Sequence, residues 1–304
     1  MTVAVQSVDT PGPNPAATPR AVSSGGRRRG AGLIGLAPFA VFVGFFLGLP
    51  TYKIVVGALH GPDGSWTLAS VRQLAHDPYK DALVQTVKLS LYTALLGGAL
   101  GLAIAFAVVS STSTLLRHVV STASGVLAYF GGVPLAFAFL ATMGPQGLAT
   151  RWLVHIGVHL ERFQLYGFNG LTLVYLYFQI PLMVLVIYPA LEGLRPQWFE
   201  AARNLGASRA QYWRFVGGPV LLPPVLGAVM LLFANSLAAY ATARALTSGS
   251  IPLLSVQIAN TLSSNVGPSQ ENLGYAMGLE LIVIVALAMV GYSLLQRRAA
   301  RWAG

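Results

Sequence analysis

The chain has 304 residues, of which 55% are hydrophobic and only 9% charged, with a mean hydropathy of +0.64. That composition excludes an ordinary soluble domain and points to a membrane protein. A net charge of +10 would suit nucleic acid, but the cations cluster between apolar runs and read as a topological signal, so no nucleic-acid partner is expected; the lack of cysteine removes disulfides, thiolate metal sites and a cysteine nucleophile.

Residues 1–29 are rich in Pro, Gly, Ser and Thr and carry no apolar signal-peptide core, so a disordered cytoplasmic tail is expected there. Six apolar runs then approach the roughly 20 residues that a bilayer demands. They cover 32–58, 83–109, 119–143, 170–191, 220–246 and 273–295. Arg20, Arg27, Arg28 and Arg29 precede the first run, Arg117 follows the second, Arg195, Arg203, Arg209 and Arg214 follow the fourth, and Arg297, Arg298 and Arg301 follow the last. These segments share one side, which the positive-inside rule makes the cytoplasm. The opposite loops mix Arg72, Lys80, Arg151 and Arg162 with Asp63, Asp77, Asp81, Glu161 and Glu271. The expectation is an all-α polytopic membrane protein with both termini inside, a single membrane domain over 30–296 and a basic end at 297–304.

Several residues inside the runs are polar or break the helical pattern. Gly97 and Gly101 form a G-x-x-x-G that permits close helix approach. Pro134 and Pro181 are expected to kink the third and fourth spans. Asn235, Ser236 and Tyr240 offer hydrogen-bonding groups along the fifth span, and with Arg244 and Glu280 they are candidates for a translocation path. Glu280 is an acid inside the sixth span and needs a partner, either Arg244 or a passing solute. His155 and His159 stand four apart on an outer segment without a third ligand, so an amphipathic helix and no metal site are expected.

Between the fourth and fifth runs, residues 192–219 read as two short helices. Pro196 suits a first helical turn, where its missing N–H costs nothing, and good helix formers follow to Leu205. Gly206 stands where a left-handed residue ends a helix. Ser208 and Gln211 then form an S-x-x-Q capping box that starts the second helix, and Gly217, Gly218 and Pro219 are expected to stop it. Ala201 and Ala202 offer a patch poor in side chains, flanked by Glu200 and Arg203. The segment is either a dock for a protein partner or an amphipathic element lying in the headgroups.

The stretch "EAARNLGAS", followed by Trp213 and Pro219, resembles the EAA motif of the membrane subunits of type I ABC importers. "TVKLSLYTALLGGALGLAIAFAV" and "YGFNGLTLVYLYFQIPLMVLVIYPALEGLRP" resemble that family's core helices, and the likeness covers about residues 80–295. It departs at Gly218, where the pattern has a leucine before the proline. The resemblance implies a bacterial inner-membrane permease subunit that is not itself an enzyme. Glu200, Ala201, Ala202, Gly206, Ala207, Ser208, Trp213 and Pro219 would then contact a cytoplasmic ATPase dimer. It further implies a second permease subunit, an extracytoplasmic substrate-binding protein and no cofactor on this chain, with ATP bound by the partner. The sequence agrees on that division: no lysine among Lys53, Lys80 and Lys88 follows a glycine, so there is no G-x-x-x-x-G-K-[ST] phosphate loop. The core helices are most similar to the polyamine, iron, thiamine and phosphonate branch. A lone intramembrane acid leans towards a cation such as a polyamine, with sugar left open. A secondary transporter driven by protonation of Glu280 and a membrane scaffold are the alternatives from other classes.

Overall fold

The computed structural model describes residues 28–61, 63–157, 164–247, 249–263 and 268–302. The expected tail at 1–29 therefore lies almost wholly outside the described residues, as does His159. The chain divides into two compact units, Met1–Pro50 and Thr51–Gly304.

In the first unit α1 (Arg28–Val43) leads into a π-helical turn at Gly44–Gly48. Phe39, Phe42, Phe45 and Phe46 are exposed, as hydrocarbon-facing side chains of a membrane span are. The helix continues as α2 (Leu49–Ala58), which enters the second unit.

The regular secondary structure among the described residues of the second unit is helical, apart from one bridge between His60 and Trp66. In chain order come α3 (Ala69–Gln73), α4 (Tyr79–Ser110), α5 (Thr114–Tyr129), α6 (Gly132–Met143), α7 (Leu148–His155) and α8 (Phe168–Glu192). They are followed by α9 (Pro196–Asn204), α10 (Arg209–Tyr212), a π-helical turn at Trp213–Gly217, α11 (Gly218–Ala238), α12 (Tyr240–Thr247), α13 (Leu254–Ser263) and α14 (Pro268–Trp302). Six stretches are long and apolar enough to cross a bilayer: Leu36–Ala58, Tyr79–Ser110, Gly132–His155, Phe168–Glu192, Arg209–Ala238 and Gln270–Leu294. The chain is thus an all-α polytopic membrane protein.

The axis of the bundle is α8, whose Leu171, Val174, Tyr175, Met183, Val184 and Ile187 are all buried. Helix α4 lies against it along the G-x-x-x-G. A Cβ at Gly97 would stand 2.8 Å from the Gln179 Cβ, and one at Gly101 would stand 2.5 Å from the Met183 Cβ, so only glycine lets the backbones approach this closely. Two threonine hydroxyls of α4 bond within the helix, Thr86 donating to the Ala82 carbonyl at 2.7 Å and Thr93 to that of Leu89 at 2.8 Å. Arg117 closes the end of α4 by donating from Nη2 to the Val109 carbonyl and from Nε to that of Ser111.

Two sequence expectations need correction. The third apolar run is not one helix, because the chain leaves helical geometry after Tyr129 and resumes at Gly132 with φ +73°. The fifth run breaks at Ala239, which separates α11 from α12. Of the two prolines expected to kink spans, Pro134 falls in the first turn of α6, where it opens a helix, and Pro181 lies inside α8, which runs on through it and Pro189.

Candidate functional site

The polar insert is built as its local chemistry demands. Pro196 opens α9, and the helix ends in a Schellman turn: the Gly206 N–H donates to the Arg203 carbonyl and the Ala207 N–H to that of Ala202, both at 2.9 Å, with Gly206 at φ +81°. Ser208 then caps α10, its Oγ accepting from the Gln211 N–H at 3.2 Å while Gln211 Oε1 accepts from the Ser208 N–H at 2.7 Å. Aromatic rings hold the element together and onto the bundle. Phe199 packs edge-on to buried Tyr212 at 5.2 Å, and Trp213 packs edge-on to Phe106 of α4 at 5.4 Å.

Glu200, Ala201 and Leu205 are exposed, Leu205 to 88%, whereas Ala202, Ala207 and Trp213 are half-buried. Glu200, Ala201 and Leu205 thus lie on the exposed surface of the element, and Ala202 is only partly exposed. Leu205 is a surface apolar residue that the motif reading did not single out.

Gly217, Gly218 and Pro219 do not stop the second helix. It runs on through the π-helical turn into α11, with the Gly218 N–H donating to the Trp213 carbonyl five residues back. Pro219 falls at the start of α11, where it needs no donor, and the wider turn absorbs it. A Cβ at Gly218 would stand 2.5 Å from the Trp213 carbonyl oxygen, which explains why glycine replaces the leucine that the motif carries there.

At its other end α11 meets the second feature. The two helix breaks face each other, and Thr242 ties them: the Gly132 N–H donates to Thr242 Oγ1 at 2.8 Å, and the Thr242 hydroxyl reaches the Gly132 carbonyl at 3.3 Å. The Ala239 carbonyl, released by the end of α11, accepts from the Tyr175 hydroxyl at 2.8 Å. Between the breaks lies a cavity of about 520 Å³ whose lining includes Tyr129, Gly131, Phe178, Asn235, Tyr240 and Thr242, with no charged side chain. Discontinuous helices are the means by which a membrane chain sets backbone polar groups beside a polar path.

Asn235 and Tyr240 are thus brought together, and the other three path candidates are not. Arg244 is exposed and donates to Asn260 Oδ1 on α13, so the anticipated ion pair with Glu280 does not form. Glu280 lines a separate cavity of about 450 Å³ with Lys80, Leu74 and Leu83, and its Oε2 is buried without a hydrogen-bond partner. Ser236 faces α4, its hydroxyl 3.0 Å from Thr93 Oγ1. Sequence reasoning missed Thr242 and Gln179, for their partners lie far along the chain.

A family model described as "Binding-protein-dependent transport system inner membrane component" matches residues 97–301. The chain belongs to this family. It is an ABC importer permease, and an integral membrane protein by both its six apolar stretches and its family. The sulfate transport system permease protein CysT of Salmonella typhimurium is 34% identical over 108 residues, covering 34% of this chain and 39% of that protein. The spermidine/putrescine transport system permease protein PotC of Haemophilus influenzae is 29% identical over 132 residues, covering 43% and 49%. The chain spans less than half the length of these two curated relatives. A bacterial alginate ABC transporter, solved in complex with an alginate pentasaccharide-bound periplasmic protein, superposes with a TM-score of 0.71 at 17% identity over 89% of this chain and 95% of that one. That likeness speaks for the fold.

Proposed function

We propose that this permease forms one membrane half of an importer for a small polar solute. The insert at 192–219 lies in the cytoplasm with both termini and docks on an ATPase dimer, a second permease completes the path, and an external binding protein delivers the solute. The observation that carries the reading is the continuity of the capped insert with α11, which ends at the cavity between the breaks. A push on the exposed Glu200, Ala201 and Leu205 face passes along one helix to the place where backbone is free to rearrange, a mechanical link between two packings of the bundle. ATP is bound and hydrolysed on the partner subunit.

The named relatives carry solutes of opposite charge, so charge selection rests on the binding protein and on finer features of the path. The test is reconstitution of the chain with its second permease, ATPase and binding protein in liposomes. Loaded binding protein should stimulate hydrolysis several-fold and drive uptake. Uptake that follows a proton gradient without ATP would instead assign a secondary transporter working through Glu280, and ATPase recruitment without uptake would leave a scaffold.

A further inference from the structure

Glu280 lies inside the last apolar stretch, Gln270–Leu294, where an ionised group must pair or face water. Its Oε2 is buried with no hydrogen-bond partner among the described residues. The cavity beside it, about 450 Å³, is of the size that holds small molecules. Ala276, Leu279, Glu280 and Val283 recur at helical spacing, so one stripe of α14 forms a wall. Val71 of α3, with Leu74 and Ala75 just beyond it, and Lys80 and Leu83 of α4 form the others. Within this lining only Glu280 and Lys80 are polar, and the rest is Val, Leu and Ala.

The cavity sits at one end of the bundle. Lys80 is the second residue of α4, while Phe106, towards the other end of that helix, packs on Trp213 of the insert. Leu273 and Ala276, near the start of α14, cluster with Leu74 and with Ala82, near the start of α4, so both helices begin on the side away from the insert. That is where the spans meet the headgroups. Val71 and Val283 are exposed, as side chains that touch lipid are. Side chains of a helix lean towards its N-terminus, so Glu280 reaches out of the span, and a lysine at such a boundary extends its ammonium to the headgroups.

One acid and one base in an apolar frame set the chemistry of the ligand. A polyamine would satisfy Glu280 but place a like charge beside Lys80, and an oxyanion would do the reverse. A zwitterion satisfies both. The Glu280 Oε2 also needs a donor, which a primary ammonium supplies through its N–H groups and a trimethylated one does not. We propose that this cavity is a site for phosphatidylethanolamine, whose ammonium donates to Glu280, whose phosphate pairs with Lys80 and whose acyl chains leave past the exposed Val71 and Val283. Glu280 thereby takes a membrane lipid as its partner in place of Arg244 or a passing solute, and the site stands whatever the permease carries.

The test uses the full-length chain, purified in detergent with the subunits that co-purify. It is titrated with phosphatidylethanolamine, phosphatidylcholine and phosphatidylglycerol of identical acyl chains, and bound lipid is counted by native mass spectrometry. Phosphatidylethanolamine should bind at least about tenfold tighter than phosphatidylcholine, the scale of one hydrogen bond to a charged group. Glu280→Met removes the acceptor and should bring the two within about twofold, whereas Glu280→Gln, which keeps a neutral acceptor, should fall between. Lys80→Met should weaken both lipids by a similar factor, because the phosphate is common to them. In lipid-free detergent the Glu280 variants should melt at or above the wild-type temperature, which separates lost binding from lost fold. Equal binding of the two lipids by the wild type overturns the proposal, as does a preference that survives Glu280→Met or tightest binding of phosphatidylglycerol. Displacement of the lipid by water-soluble phosphoethanolamine would also overturn it and assign the cavity to a free solute.

Discussion

The insert and the break cavity solve the same problem by different means. Each turns the chain between helices and must satisfy the backbone groups that the turn releases. In the insert the partners are neighbours: Gly206 bonds to Arg203, Ala207 to Ala202, and Ser208 and Gln211 to each other. At the cavity they come from remote helices, Thr242 reaching Gly132 and Tyr175 reaching Ala239. A turn that closes on itself can move as one piece when a partner subunit pushes it. A turn closed by other helices changes when those helices shift, which is what a gate between two packings requires.

The contrast can be broken by substitution, and the largest effect is expected on the outward face of the insert. Ala201→Trp places bulk on that exposed face and should weaken ATPase co-purification on the order of a hundredfold, with membrane insertion and melting temperature unchanged. Normal co-purification would move the dock elsewhere.

Next comes the cavity. Thr242→Val removes the acceptor of the Gly132 N–H and should cost roughly 1–3 kcal/mol, because a half-buried donor at the helix break loses its partner. Melting in detergent should fall and uptake drop, while ATPase binding stays at the wild-type level. A variant that instead lost the ATPase would show that the two regions are not separate devices.

A smaller effect is expected at the turn of the insert. Gly206→Val forces a branched side chain into the left-handed region at a cost of roughly 1–2 kcal/mol, whereas Gly206→Asn tolerates it. No Cβ clash awaits either residue, so the cost is conformational alone. Coupling of hydrolysis to uptake should fall in the order glycine, asparagine, valine. Equal coupling in all three would mean that the orientation of α9 relative to α10 does not carry the signal.

The smallest effect belongs to Glu280. Because it lines a cavity apart from Asn235 and Tyr240, Glu280→Gln should leave uptake within about twofold. Stability should hold or rise, since a buried oxygen without a donor loses its charge. A large loss of uptake would return Glu280 to the path.

The sequence by itself determined everything whose physics is short-ranged or one-dimensional. The six apolar runs follow from the length of helix a bilayer needs. The capped insert follows from Pro196, Gly206, Ser208 and Gln211, each satisfied within a few residues, and Gly97 and Gly101 mark a face of α4 that another helix can approach closely, though not which helix. Tertiary structure decided where the third and fifth runs break, because Gly131–Gly132 and Ala239 leave the helix only where Thr242 and Tyr175 stand ready to pair the freed groups. It also decided that Pro219 continues a helix, since the π-helical turn that absorbs it depends on a glycine at 218 beneath the Trp213 carbonyl. Finally it separated Glu280 from Arg244 and gave Asn235 its orientation through Gln179, for a polar side chain in a membrane bundle takes its role from whichever remote group completes its hydrogen bonds.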